Sequence, residues 1–144
     1  MLKGMVRRAS ARWQGRLKDG KGTVSTGSGV LSGTPYSFGT RFEQGAGTNP
    51  EELIAAAHAG CFAMALSAQL EQAGMVAQSL DVTAEVSLDN VDGNWTVTKS
   101  HLDLRAKVQG GDKAEFEAAA GRAKAGCPIS RLLKAEITLD ARLE

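Results

Sequence analysis

From Leu53 to Leu66 the chain reads Leu-Ile-Ala-Ala-Ala-His-Ala-Gly-Cys-Phe-Ala-Met-Ala-Leu, and His58 is the one strongly polar residue in that run. Just upstream stands Thr48-Asn49-Pro50-Glu51-Glu52, where Asn49 can cap a helix, Pro50 suits its first position and Glu52 completes a capping box. The pattern predicts a helix that begins here and runs to about Ala73, ended by Gly74. A helix apolar on almost all sides must be buried on almost all sides. One chain of 144 residues has little material to enclose it, so a second copy is expected to complete the cover.

The rest of the chain must supply the layers around that helix. Leu80, Val82, Ala84, Val86 and Leu88 alternate with polar residues, and Asp92-Gly93 marks a hairpin turn. In the returning strand Trp95 and Val97 lie in odd phase but Leu102, Leu104, Ala106 and Val108 in even phase, so a β-bulge is expected near Ser100-His101. Asp112 and Glu115 form a capping pair ahead of Phe116, Ala119, Ala120 and Ala123 at helical spacing, a short helix follows Pro128 through Leu133, and Ile137, Leu139, Ala141 and Leu143 alternate as a final strand. Before the long helix, Met5, Ala9, Ala11 and Trp13 suggest a first strand, and the Gly-, Ser- and Thr-rich stretch from Arg16 to Gly47 reads as short strands joined by tight turns. This order is an α+β arrangement, and residues 1–144 are expected to form a single domain.

Charge narrows the function classes. With 17 Lys plus Arg against 16 Asp plus Glu the net charge is +1, so no global field favours nucleic acid or an anionic membrane. The N-terminal residues lack a secretory apolar stretch and no run approaches the roughly 18 apolar residues of a membrane span, so a cytoplasmic protein is expected. In that reducing compartment Cys61 and Cys127 are expected to be catalytic, metal-binding or simply free, and not a fixed structural bridge.

Cys61 sits in an apolar context that opposes thiolate formation unless a cation is supplied. Between Arg41 and Lys99 there is no Lys or Arg, so the charge must come from another element, and Arg41 is the nearest in sequence. Its fork can hold a carboxylate while pointing another donor at sulfur. Glu51 is a candidate for that carboxylate; the plainer reading is that Glu51 and Glu52 favour the helix dipole. Glu51 lies ten positions from Cys61, about 15 Å along a continuous helix. Either the helix begins later or Glu51 serves the Cys61 of a neighbouring subunit, and the second option agrees with the need for a dimer.

For Cys127 two readings stand side by side: a resolving thiol at a helix start set by Pro128, or a small buried hydrophobe. The separation of the two cysteines excludes a CxxC motif. His58, Cys61, His101 and Cys127 could make four ligands, but their spacing does not resemble a zinc site, so no metal is expected. His58 reads as a satisfied core histidine sooner than as a catalyst. Ser67 and Ser130 lack a Ser-His-Asp set, and the turns near Gly27 and Gly29 do not form a phosphate loop.

Thr40-Arg-Phe-Glu43, Gly47-Thr-Asn-Pro-Glu-Glu-Leu-Ile54, Ala56-Ala-His-Ala-Gly-Cys-Phe62, Lys124-Ala-Gly-Cys-Pro128 and Leu133-Lys-Ala-Glu-Ile-Thr-Leu-Asp140 resemble the family of osmotically inducible protein C (OsmC) and the organic hydroperoxide resistance proteins (Ohr), and the resemblance spans nearly the whole chain. The His-Ala-Gly-Cys-Phe form and the position of Arg41 are more similar to the OsmC branch. The resemblance implies an intertwined homodimer with antiparallel sheets around long central helices, and a thiol-dependent peroxidase without metal, flavin or other cofactor. It makes Cys61 the peroxidatic cysteine, Cys127 the resolving cysteine, and Arg41 with Glu51 the activating pair.

The implied reaction reduces an organic hydroperoxide to its alcohol, through a Cys61 sulfenic acid and then a Cys61–Cys127 disulfide. An external dithiol, a lipoylated protein among the candidates, restores the enzyme. Phe62, Met64 and the aromatic residues Tyr36 and Phe38 are candidates for an apolar surround that favours organic peroxides. The competing expectation is a stress-induced dimer that binds a small ligand in an apolar cleft and merely packs its cysteines.

Overall fold

The computed structural model describes residues 4–144 and divides into two compact units, one ending at Pro50 and one spanning Glu51–Glu144. In the first, β1 (Ala9–Gln14), β2 (Lys21–Thr26) and β3 (Thr34–Tyr36) form an antiparallel meander in that order. Gly22 pairs with Trp13 on one side and Tyr36 on the other, and a Cβ there would fall 2.5 Å from the Tyr36 ring and 2.6 Å from the Trp13 ring. Glycine is thus what lets the two rings close over the strand, with centroids 5.6 Å apart.

After β3 a short helix, α1 (Phe38–Phe42), interrupts the stretch that was expected to hold only strands and turns. Its cause is local: Ser37 Oγ accepts the Thr40 N–H while Thr40 Oγ1 accepts the Ser37 N–H, a reciprocal capping box. The Asn49 side chain then donates to the Thr40 carbonyl at 3.0 Å, tying the approach to the long helix back onto α1.

That long helix, α2 (Pro50–Gln72), starts and stops where its sequence signals predict. It ends in a Schellman turn: the Gly74 N–H donates to the Glu71 carbonyl, the Met75 N–H donates to the Leu70 carbonyl, and Gly74 takes φ +79°. By length and composition α2 could cross a membrane, its mean hydropathy reaching 1.5 over an 18-residue window, which corrects the expectation that no run approaches a span. One face of it lies in the core of its unit: His58 is hydrogen-bonded to two other elements, and Phe62, Leu66 and Leu70 pack with Leu102, Leu104 and Phe116.

β4 (Val76–Val91) and β5 (Asn94–Gln109) form the expected hairpin. Its turn places Asp92 at φ 51° and Gly93 at φ 84°, both left-handed. The bulge anticipated near Ser100 falls at Thr98, where Ser87 pairs Lys99 but Leu88 pairs Val97, and a second shift lies between Ala77 and Ser79. The first bulge moves Ser100, Leu102, Leu104 and Ala106 to the buried face.

α3 (Lys113–Gly126), capped by Asp112 Oδ1 accepting the Glu115 N–H at 2.8 Å, and α4 (Pro128–Leu132) carry the chain back to β6 (Glu136–Leu143). β6 pairs with β5 in parallel, from Lys99↔Glu136 to Ala106↔Leu143. The expectation of purely antiparallel sheets is therefore corrected for this strand. A tight turn can reverse a strand, but the two-helix crossover returns the chain to the end where β5 began, and the next strand must then run alongside it.

Candidate active site

Cys61 and Cys127 come together in the second unit. Cys61 sits midway along α2 and is half-buried; Cys127 lies at the junction of α3 and α4 and is fully buried. Their sulfurs are 3.0 Å apart, about 1 Å beyond an S–S bond, so a small side-chain rotation would join them. Both are free thiols. Only the half-exposed sulfur can meet a reagent from outside without the chain opening.

The two sulfurs sit in unequal fields. Burial pushes the Cys61 thiol up, the contact with Cys127 adds to this, and the Ile129 N–H opposes it. Burial pushes Cys127 up as well, but hydrogen bonds with Cys61, with the N–H and hydroxyl of Ser130 and with the Ile129 N–H outweigh it, so Cys127 lies below the ordinary thiol value. Within this unit the buried sulfur is the more easily ionised of the two. The sequence argument that Cys61 needs help from another element is in keeping with that balance.

α4 creates the difference. Pro128 opens the helix, Cys127 is its N-cap residue with φ −58° and ψ 133°, and the Ser130 N–H points back at Sγ across 3.5 Å. Ser130 also bonds His58: Nε2 to Ser130 Oγ is 2.8 Å, and Nδ1 to Ser100 Oγ is 2.6 Å. His58 and Ser100 are 0% exposed, and burial holds His58 below its ordinary pKa. His58 is the satisfied core histidine that the sequence suggested. Its two serine partners were not foreseen, because three residues from α2, β5 and α4 leave no spacing signature.

Arg41 occupies the last turn of α1, its guanidinium 5.4 Å from the Phe42 ring centroid. It helps to line a largely apolar cavity of about 290 Å³ with Trp13, Leu17, Tyr36 and Phe38 in the first unit. Glu51 lies in the first turn of α2. Because α2 is continuous from Pro50, the alternative in which the helix begins after Glu51 is removed, and Glu51 stands about 15 Å along the axis from Cys61 of its own chain. His101 bonds Thr138 Oγ1 at 2.6 Å. Among the described residues no three His, Cys, Asp or Glu side chains gather as a metal site.

The family model for OsmC-like proteins matches residues 43–142. The chain is 55% identical to Peroxiredoxin OsmC of Escherichia coli strain K12 over 138 residues, 96% of each chain. It is 34% identical to an organic hydroperoxide resistance protein of Xanthomonas axonopodis pv. citri over 102 residues, 69% of this chain and 68% of that one. The crystal structure of the organic hydroperoxide resistance protein OhrB of Bacillus subtilis shares the fold, with a TM-score of 0.69 at 23% identity over 97% of this chain and 98% of that one.

Proposed function

The chain belongs to the OsmC-like protein family, and from that premise we propose that it is a cysteine-based peroxidase that reduces organic hydroperoxides to alcohols. It works as one domain over residues 1–144, in a cytoplasmic homodimer, with no metal or flavin. The single observation that carries the reading is the 3.0 Å approach of a half-exposed sulfur to a buried one.

Cys61 thiolate attacks a peroxide oxygen; the S–O bond forms, the O–O bond breaks, and the alkoxide leaves as alcohol on taking a proton. Cys127 thiolate then attacks Cys61 Sγ, and hydroxide departs as water. An external dithiol, of which a lipoylated protein is one candidate, reduces the disulfide by exchange. Arg41, with Glu51 as its carboxylate partner, supplies the cation that burial of Cys61 demands and steadies charge on the departing oxygen. Two features support these roles. The cavity that Arg41 helps to line is aromatic and suits an organic group, and Glu51 is too far along α2 to serve Cys61 of its own chain, which agrees with a role toward the Cys61 of a second copy.

The dimer follows from α2. Gly60, Met64 and Ala68 are exposed on one side of this apolar helix, and a second copy of the chain covers them. Mixing reduced protein with one equivalent of cumene hydroperoxide and counting free thiols tests the chemistry. Loss of two thiols per subunit, with peroxide consumed, is expected. Unchanged thiols would leave a ligand-binding dimer with packed cysteines.

A further inference from the structure

Two contacts join α2 to the start of α4, and they are spaced alike on both sides. Cys61 meets Cys127 across 3.0 Å, and His58 Nε2 meets Ser130 Oγ across 2.8 Å. His58 lies three residues before Cys61 on α2, and Ser130 lies three residues after Cys127, the N-cap of α4. Three residues advance a helix by about 4.5 Å. The two contacts therefore stand side by side, as neighbouring rungs between the same two elements.

One of these rungs changes length during the proposed cycle. The sulfur pair is a contact between thiols and then a bond about 1 Å shorter, and in between it must admit a sulfenic oxygen. The imidazole–hydroxyl rung takes no part in that chemistry and is closed to water: His58 and Ser100 are 0% exposed and Ser130 9%. Its far end is anchored too, since Ser100 of β5 meets His58 Nδ1 at 2.6 Å. α4 needs such an anchor. Its five residues are too few to hold a helix by themselves. Pro128, Arg131 and Leu132 are exposed, and it is Ile129 and Ser130 that turn inward, Ile129 against the hydrophobic core and Ser130 onto His58.

We propose that His58 is a positioning residue for the disulfide step: gripping Ser130, it pins the first turn of α4 to α2 and β5 and so holds Cys127 Sγ within bonding range of Cys61. This rests on the reading of Cys127 as the resolving cysteine. In that step Cys127 thiolate bonds Cys61 Sγ, the S–O bond of the sulfenic acid breaks, and hydroxide leaves as water on taking a proton from solvent. His58 and Ser130 exchange neither proton nor electron in it. Their part is mechanical. A sulfur on a helix end free to swing would spend only a fraction of its time in reach of Cys61, and fixing that end raises its effective concentration there.

The test closes the pair without peroxide. Reduced chain is equilibrated with mixtures of reduced and oxidised glutathione, whose disulfide is reduced to two glutathione thiols as the Cys61–Cys127 bond forms, and the closed fraction is read by mass after acid quenching and alkylation. Ser130→Ala and His58→Leu are each expected to lower the equilibrium constant for closure about tenfold, the size of one lost buried hydrogen bond, which raises the reduction potential of the pair by about 30 mV. The double variant should fall no further than either single one, because both remove the same rung. Ser130→Thr keeps the hydroxyl and should restore closure. Ser100→Ala controls for a merely structural role: it also strips the imidazole of a partner and lowers the unfolding free energy, but it leaves the rung to α4 in place, so its shift in closure should fall well short of that of Ser130→Ala. With one equivalent of cumene hydroperoxide, Ser130→Ala should slow disulfide formation about tenfold relative to the first oxidation of Cys61. Unmoved closure in Ser130→Ala overturns the proposal, as do equal shifts in Ser100→Ala and Ser130→Ala, or a pair that fails to close in the unsubstituted chain. Should His58→Leu fail to fold, the two serine variants decide alone. Because the glutathione equilibrium uses no peroxide, a failure there is distinct from a failure of the peroxidase reading, which the thiol count exposes.

Discussion

Phe62 and Met64 stand two positions apart on α2, yet Phe62 is 0% exposed and Met64 78%. Two residues on a helix differ by about 200° around the axis, so they mark opposite faces of the same apolar rod. One face, His58, Phe62, Leu66 and Leu70, is covered by Leu102, Leu104 and Ala106 of β5, by Phe116 of α3 and by Cys127. The other carries Gly60, Met64 and Ala68, and a Cβ on Gly60 would meet nothing within 4 Å. Hydropathy does not separate the two. What selects the inward face is complementarity: His58 can satisfy both ring nitrogens only when α2 is rotated to bring it between Ser100 and Ser130. A single polar residue therefore fixes the rotation of a helix that greasiness alone would leave undetermined.

The largest expected effect lies at the seam between these faces, where Cys61 is half-buried. Cys61→Ser should reduce peroxide turnover to background. Cys127→Ser should allow one oxidation per subunit and then stall or overoxidise, because no second thiol is within reach of the sulfenic acid. Stopped-flow peroxide consumption with mass analysis of the products separates the two. Equal, full turnover in both variants would remove the proposed chemistry.

Next in size is the inward face. Phe62→Ala should cost about 3–5 kcal/mol of unfolding free energy, as for a large aromatic removed from a closed core. Denaturant titrations at fixed protomer concentration measure it, since a dimer's stability depends on that concentration. A cost under about 1 kcal/mol would mean that the inward face is not the core this structure describes.

Much of this layout could be read from the residues. The cap signals before Glu51 and Gly74 after the run bracket α2, Asp92-Gly93 sets the hairpin, and Asp112 opens α3, because each is a local device with a fixed offset. The direction of β6 was not legible: Ile137, Leu139, Ala141 and Leu143 alternate the same way whether the strand runs with β5 or against it, and only the crossover decides. α1 was hidden in a Gly- and Ser-rich stretch, although Ser37 and Thr40 carry a capping signal three residues apart. At the site, the two cysteines announced themselves by residue type. That the two would meet was implied by the family resemblance and not by any spacing, and the serines around His58 were not foreseen, since contacts between distant elements leave no periodicity.

The outward face tests the second copy. Met64→Glu should convert the proposed dimer to a monomer, weakening association at least about a hundredfold, or roughly 2.7 kcal/mol, because a carboxylate would be stripped of water against an apolar partner. Sedimentation velocity across a dilution series reads this directly. A Met64→Glu chain that remains as dimeric as the unsubstituted one would place the interface elsewhere.

The smallest effect concerns acid stability, and it belongs to the polar residue of the inward face. Burial holds His58 below its ordinary value of 6.5, so the folded chain keeps it neutral at a pH where the unfolded chain already takes up a proton. The unfolded state therefore binds more protons, and stability rises with pH across that interval. The contribution is fully present above about 6.5, begins to fall as the pH drops below the unfolded value, and is lost by the time the pH passes through the lowered folded value. His58→Gln has no proton to take up there, so its unfolding free energy should decline less over the same range, whatever its value at neutral pH. Met64 on the opposite face carries no titrating group, and Met64→Ala should leave the slope as it was. Parallel slopes for the unsubstituted and His58→Gln chains would show that the imidazole is not held neutral by the core, and that the rotation of α2 is fixed by its hydrocarbon contacts alone.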